Sequence, residues 1–314
     1  MKKKIFFCCL FSFNLIFSQN SKEFINLCTT ADSLYKSKNY LNSALKFNQA
    51  FKLYKKQKIN ELYIYNSSCS LALAGKKKES FKQLFFLAKE KKYFKLSDIS
   101  SDIDLISLQN DKKWIELLEI IKKNKERRNL ELISELDTIF KDDQEGRELV
   151  GNIELKFGKN SNEYKELWKK IDFKDSINQY KIKKIIDKYS FLGYDVIGHG
   201  SEVFFFVIQH SPLNKQLEYL PILKKAYKDN KFSGSNLAYL EDRIAIQQKK
   251  KQIYGTQLSY DVEKNIVFFD CISIKNIKKI DKLRRKRDLE SIIEYLQSWN
   301  IIWDPKKEKL YPEN

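Results

Sequence analysis

Residues 22–92 carry the same helical pattern twice, and this repetition limits the folds that the N-terminal part can adopt. Small residues recur where two helices would pack closely, at Ala31 and Ser43 in the first copy and at Ser68 and Ser80 in the second. Larger apolar residues stand beside them at helical spacing. Because 37 residues separate Ala31 from Ser68, the pattern predicts two consecutive helical hairpins.

This pattern resembles the tetratricopeptide repeat, whose period is about 34 residues. The resemblance implies that residues 22–121 form an array of helical hairpins that docks a protein or peptide partner. Leu105, Leu108 and Trp114 are then predicted to cover the last open face of the array. An ordinary helical hairpin is the alternative, because the period occurs only twice.

The N-terminus has the pattern of an export signal. Lys2, Lys3 and Lys4 precede an apolar run from Ile5 to Phe17 that is too short to span a bilayer comfortably. We therefore expect residues 1–18 to be a signal peptide, and the mature chain to be periplasmic or extracellular. No integral membrane segment is predicted after its removal.

The formal charge of +18 suggests an acidic partner, yet its composition argues against nucleic acid. All but seven of the 59 basic residues are lysines, and they are spread evenly along the chain. Arginine is the residue that proteins prefer for bidentate phosphate and base contacts. We therefore predict no nucleic-acid partner.

The cysteines and glycines predict no metal and no cofactor. Cys28, Cys69 and Cys271 follow the signal region, and their number and spacing match neither a zinc site nor a disulfide framework. His199 and His210 are eleven residues apart, too far along a helix to share a metal. Phosphate-loop, dinucleotide-binding and nucleophile-elbow motifs are also absent from the sequence.

Residues 122–314 are predicted to be a second, mainly α-helical domain with one small β-hairpin. Helical patterns and two β-rich runs occupy the ranges 122–140, 161–189 (two helical patterns), 203–210, 214–228, 235–248, 252–260 (β), 266–274 (β) and 281–298. The expected fold class is thus mainly α, with helical hairpins followed by this domain.

Several short polar motifs lie in the C-terminal domain. They are Asp143-Gln144 with Arg147, Asp175 with Asn178, Gln209-His210, Ala238 to Arg243, Tyr254 to Gln257, and Arg284-Arg285. Together they resemble an uncharacterised bacterial domain family that is often exported and sometimes follows tetratricopeptide repeats. The resemblance brings no activity with it.

These motifs supply the candidate ligand-binding residues, which are Asp143, Arg147, Gln209, His210, Asp242, Arg243, Tyr254, Thr256 and Gln257. His210 and Asp242 are also the catalytic candidates, with Asp242 as a base or as the group that orients His210. Arg243 would hold an anion. Residues 254–257 are expected in a strand, as a hydrogen-bonding platform.

Each candidate has a structural alternative. His210 ends a predicted buried helix and could be a satisfied structural histidine. Asp242 and Arg243 could form a local ion pair, and the basic run at 284–287 could be a solvated face with one arginine turned inward.

Two functions follow. The first is an exported interaction protein with a helical docking surface and a C-terminal ligand-binding or assembly domain. The second is an enzyme, a hydrolase or transferase, with its site around His210 and Asp242. Convergence of the polar side chains around an open cleft would favour the enzyme, and pairing inside a closed core would favour the binding protein.

Overall fold

The computed structural model describes residues 19–54, 59–261, 264 and 266–313. The predicted signal peptide, residues 1–18, lies outside the described residues. The chain divides into two compact units, of which the first ends at Arg128 and the second begins at Asn129. The sequence pattern predicts this boundary after residue 121. Among the described helices, none has both the length and the apolarity needed to cross a bilayer.

The N-terminal unit is helical throughout its described elements. These are α1 (Gln19–Lys36), α2 (Tyr40–Lys52), α3 (Glu61–Leu73), α4 (Lys77–Lys89), α5 (Leu96–Ser101), a 3₁₀ helix (Ile103–Leu108) and α6 (Lys112–Glu126). α1 packs against α2, α2 against α3, and α3 against α4. The helices thus pack in chain order.

Small residues mark the close approaches between these helices. The hydroxyl oxygens of Ser43 on α2 and Ser70 on α3 lie 2.9 Å apart, and Ser80 on α4 donates to the carbonyl of Ser68 at 2.7 Å. Ala31 is fully buried in the same apolar core. Small side chains at these positions let the backbones approach, and each of these serine hydroxyls finds a hydrogen-bond partner on the neighbouring helix.

The C-terminal unit begins with two long helices and continues with shorter ones. Its helices are α7 (Leu130–Phe157), α8 (Asn162–Tyr189), α9 (Tyr194–Ile197), α10 (Gly200–His210), α11 (Leu213–Lys228), α12 (Gly234–Gln247), α13 (Ile280–Arg285) and α14 (Ile292–Gln297). Short 3₁₀ turns occupy Cys271–Ser273 and Ile277–Lys279. The apolar α10 packs against both α7 and α8, which places it in the core.

Side-chain caps decide several helix starts. Asn129 accepts from the amide of Leu132 at the start of α7, and Ser161 accepts from Tyr164 at the start of α8. The predicted helix across residues 122–140 is therefore wrong, because α6 ends at Glu126 and Asn129 starts a new helix.

The predicted last helix, 281–298, is also two helices. Asp288 has a positive φ of 55°, and Ser291 and Glu294 form a capping box that starts α14. The non-helical conformation of Asp288 ends the first helix, and the capping box that follows it begins the second.

A small antiparallel sheet follows α12. Its strands are β1 (Ser259–Asp261), β2 (Ile266–Asp270) and β3 (Lys309–Leu310), in the order β1-β2-β3. In the register, Tyr260 pairs with Val267, and Phe269 pairs with Leu310. The fold is therefore mainly α with one small β-hairpin, as predicted, and β3 extends the hairpin to three strands.

Candidate functional site

Three helices bring polar residues from separate motifs together in the core of the C-terminal unit. Asp143 and Arg147 lie one turn apart on α7, Asp175 lies on α8, and His210 is the last residue of α10. We call these four residues the His210 cluster. Gly146 lies between the two α7 residues, where a Cβ would stand 2.7 Å from the Ile171 side chain on α8. Glycine there allows α7 and α8 to approach closely.

Hydrogen bonds link the His210 cluster into a chain. His210 Nδ1 lies 3.0 Å from Asp143 Oδ1. The two terminal nitrogens of Arg147 donate to the two carboxylate oxygens of Asp175 at 2.9 and 2.6 Å, a bidentate pair. Arg147 also lies 3.5 Å from Asp143 Oδ1, so one guanidinium serves both carboxylates.

Burial sets the charges of the cluster. The side chains of Asp143 and His210 are 1% and 5% exposed. Burial lowers the pKa of His210, and the nearby positive charges of Arg147 and Arg243 lower it further, against the raising effect of Asp143. Burial alone would raise the pKa of Asp143, but its hydrogen bond to His210 and the charges of His210 and Arg147 lower it. At neutral pH the ring is therefore neutral, and Arg147 is the one cation that Asp143 and Asp175 share within this cluster.

Gln209 and Arg243 lie beside this cluster. The carbonyl oxygen of Gln209 accepts from the side chain of Gln216 at 3.1 Å and from Arg243 at 3.4 Å. Arg243 thus reaches the end of α10, where its charge acts on His210. Gln216 is 1% exposed and also donates to the carbonyl of Ser211, so it fixes the backbone that follows His210.

Asp242 points to a different place. Its side chain is fully buried on α12 and accepts hydrogen bonds from the backbone amides of Ile253, Tyr254 and Thr256. The Thr256 hydroxyl donates to it as well, at 3.0 Å. Burial raises the pKa of Asp242, although these hydrogen bonds act in the lowering direction. We call Asp242 and these three partners the Asp242 cluster.

Residues 254–257 are not in a strand, and this prediction is wrong. The amides of Tyr254 and Thr256 donate to Asp242, and so they are not available to a neighbouring strand. Gly255 has a φ of +64°, a left-handed conformation that glycine adopts at little cost. Gln252 holds the other end of the turn, because its side chain pairs with the amide and carbonyl of Gln257 at 2.9 Å each. Buried side chains therefore shape this segment.

Arg284 is the arginine that turns inward from the basic run. It is fully buried and donates to the carbonyls of Tyr254 at 2.8 Å and Glu290 at 2.7 Å. Arg287 binds the Tyr254 hydroxyl at 2.9 Å and Glu241 at 3.0 Å. Asp242 therefore binds the backbone amides of this turn, whereas the two arginines bind its backbone carbonyls and the side chain of Tyr254.

The structure therefore separates the predicted site residues into two sets. One set consists of Asp143, Arg147 and His210, with Arg243 at their edge. The other set consists of Asp242, Tyr254, Thr256 and Gln257. His210 is paired with Asp143, and within the described residues no hydrogen bond or ion pair joins it to Asp242.

Sequence reasoning did not select Asp175 or Gln216 as site residues. The signal for Asp175 was its spacing from Asn178, which puts both side chains on the face of α8 that meets α7. Asn178 is fully buried and donates to the carbonyl of Ile139 on α7 at 3.3 Å.

In the N-terminal unit, Cys69, Asp102 and Asp104 offer ligand atoms that all lie within 4.8 Å of one another. Burial raises the pKa of the Cys69 thiol, so the thiol keeps its proton, and it donates to Asp102. Tyrosine hydroxyls donate to the two carboxylates: Tyr65 to Asp102 at 2.6 Å, and Tyr35 to Asp104. This hydrogen-bonded set is poorly suited to a metal, because a cysteine ligand must be a thiolate.

A family model described as a family of unknown function, DUF6624, matches residues 131–305. The matched range contains both the His210 cluster and the Asp242 cluster. No curated protein and no solved structure matches the chain.

Proposed function

The chain belongs to the DUF6624 family of unknown function, and we propose that it is an exported bacterial binding protein. Residues 1–18 would direct it to the periplasm or the exterior. Residues 22–121 would act as a tetratricopeptide-like array that docks a protein or peptide. The C-terminal domain would bind a ligand or support assembly.

The repeated packing of the N-terminal helices carries this proposal. Small residues meet where α2 packs against α3 and where α3 packs against α4, and consecutive helices pack in chain order. Arrays with this plan present an extended surface that other chains can occupy. The Asp242 cluster in the C-terminal unit favours a binding protein over an enzyme, because the Asp242 carboxylate is occupied by internal hydrogen bonds.

The array also leaves aliphatic side chains at its surface. Leu41 and Leu45 lie four residues apart on α2 and are 48% and 50% exposed. Residues at this spacing share one face of a helix. Apolar pairs of this kind contribute to docking when a partner covers them.

Affinity capture from the envelope fraction of the native host tests the docking role. The bait is the full mature chain, compared with the double variant Leu41→Ser/Leu45→Ser. We expect a partner that the wild type retains and that the double variant loses, while both melt at the same temperature.

Leu149→Ser/Leu155→Ser is the matched control, because these leucines are 50% and 88% exposed on α7 of the other unit. Equal capture by all three proteins, or capture by none, would refute docking through α2. N-terminal sequencing of the protein from the host tests export separately, since a chain that keeps Met1 has not been processed.

An enzyme is the second candidate, and the geometry of His210 is the observation that favours it. A neutral ring that donates from Nδ1 to Asp143 has its lone pair on Nε2. No other hydrogen bond of this ring forms within the described residues. A histidine held in this way by a carboxylate is the arrangement that general bases use.

The enzyme candidate predicts a hydrolase or transferase activity that depends on His210. A panel of chromogenic esters, phosphate esters and glycosides, with and without added acceptor alcohols, is assayed with the full chain. We expect His210→Gln to lower any turnover by about 100-fold or more, since general bases contribute that much. His199→Gln is the control, because His199 is an exposed histidine. Turnover that both variants retain, or no turnover at all, contradicts this candidate.

A further inference from the structure

The C-terminal unit contains a hollow of about 580 Å³ that none of the sequence motifs predicted. It lies beside the packed pair α11 and α12, and its wall continues into the segment that follows α12. Its volume is within the range of small-molecule sites, about 300–1,000 Å³. We call it the lysine hollow.

The floor of the lysine hollow is apolar. Leu220 from α11, Ile244 and Ala245 from α12, and Ile253 line it. Ile244 is 4% exposed, so its side chain belongs to the packed core. An apolar floor favours a ligand that has a hydrocarbon body.

The rim of the hollow is strongly basic, because five lysines from three parts of the chain surround it. They are Lys224, Lys249, Lys250, Lys251 and Lys275. Lys249, Lys251 and Lys275 form no ion pair or side-chain hydrogen bond with any residue that the structure describes. Lys250 donates to the neutral side chain of Gln248, so its charge is not balanced there.

Glu241 is the acidic residue of the lining, and its charge is already balanced. One carboxylate oxygen lies 3.1 Å from Lys224, and the other lies 3.0 Å from Arg287. The Tyr254 hydroxyl donates to the same group. Glu241 therefore neutralises Lys224 but leaves the remaining lysines to set a positive potential over the hollow.

The lysine side chains are not required to cap α12. The last carbonyls of this helix accept from backbone amides, with Lys249 N donating to Ile246 and Lys250 N to Ala245. Lysines after a helix commonly serve the helix dipole. Lys224 and Lys275 come from other elements, however, so the dipole of α12 does not account for the convergence.

We propose that the lysine hollow binds an organic anion with an apolar body, such as an acyl chain that ends in a carboxylate or phosphate. This inference rests on the proposed ligand-binding role of the C-terminal domain and names the ligand class. Lysine ammonium groups bind such a head as point charges, without the planar fork of arginine. The apolar floor then takes the body of the ligand.

Isothermal titration calorimetry with the full mature chain tests the proposal with four probes. Octanoate and octyl phosphate carry both the charge and the apolar body. Octanamide carries the body alone, and inorganic phosphate carries the charge alone. We expect the two amphiphilic anions to bind at least tenfold more tightly than the other two, and their comparison distinguishes a carboxylate site from a phosphate site.

Two variants locate the binding. Lys249→Gln/Lys251→Gln/Lys275→Gln removes three charges from the rim and should weaken binding at least tenfold. Ala245→Phe keeps the charge but fills the floor, and it should weaken binding of the octyl probes similarly. Melting temperatures check that both variants remain folded.

The control is Lys228→Gln/Lys278→Gln/Lys279→Gln, which removes three exposed lysines that do not line the hollow. It should change the affinity less than twofold. Equal weakening by both triple variants, binding of inorganic phosphate as tight as that of octyl phosphate, or no saturable binding would overturn the proposal. The capture assay with the α2 variant is independent, so failure here leaves the docking role to be judged by its own result.

Discussion

Replacing Asp242 by alanine should destabilise the C-terminal unit more than any change to a surface acid. The buried carboxylate accepts from the amides of Ile253, Tyr254 and Thr256 and from the Thr256 hydroxyl. Alanine leaves these donors without an acceptor at a fully buried position. A buried donor that loses its partner costs about 1–3 kcal/mol.

Three amides at the lower end of that range give a loss of about 3 kcal/mol, and the turn at Gly255 would lose its anchor as well. This is a large part of the roughly 5–15 kcal/mol that stabilises an ordinary domain. For a unit of this size the melting temperature should fall by about 6–12 °C. The melting temperature of Asp242→Asn should lie between those of Asp242→Ala and the wild type, because the asparagine amide keeps one acceptor oxygen.

Differential scanning calorimetry and urea denaturation at pH 7 measure the effect. Because the chain has two compact units, the transition of the C-terminal unit must be followed by itself. Asp229→Ala removes the same charge from an exposed site and should leave this transition unchanged. The reasoning fails if Asp242→Ala melts within about 2 °C of the wild type, a shift of less than about 1 kcal/mol.

Three further predictions concern neighbouring residues. Because the pKa of His210 is lowered in the folded state, the free energy of unfolding should fall as the pH drops from about 7 to 5, through the ordinary histidine pKa near 6.5. Melting temperatures at several pH values should show a smaller fall in His210→Gln than in His199→Gln. Arg284→Ala should lower the free energy of unfolding by about 3–5 kcal/mol in urea denaturation, because it empties a fully buried site and leaves the carbonyls of Tyr254 and Glu290 without these donors. Exposed Arg285→Ala should leave the midpoint unchanged. Gly255→Ala should cost about 1–3 kcal/mol by the same measurement, since φ is +64° and a Cβ would meet two side chains at 3.0 and 3.1 Å.

Much of the helical fold could be predicted from local sequence. The apolar run of α10 and the periodic patterns of α11 and α12 lie in helices of 11, 16 and 14 residues, and patterns in helices of this length are the clearest local signals. The same reasoning failed at 122–140 and 281–298. In both ranges, the periodicity continues across a cap residue, Asn129 or Ser291, that ends one helix and starts the next.

Residues 254–257 show why a strand was predicted where none forms. Their β-branched and aromatic composition favours a strand, but strand propensity depends on a neighbour that accepts the amides. Here the acceptor is Asp242, which lies 11 to 14 residues earlier in the chain. A buried carboxylate that captures three amides outweighs the local preference.

The sequence by itself determined which helix faces are polar and that the polar motifs lie in the C-terminal unit. Only the tertiary structure decided which charges meet. Asp143 and His210 are 67 residues apart, and Arg147 and Asp175 are 28 residues apart. Helical periodicity specifies directions around one helix axis, whereas these contacts depend on how α10 crosses α7 and α8. His210 is therefore paired with Asp143 because the packing of three helices brings those two side chains within 3.0 Å.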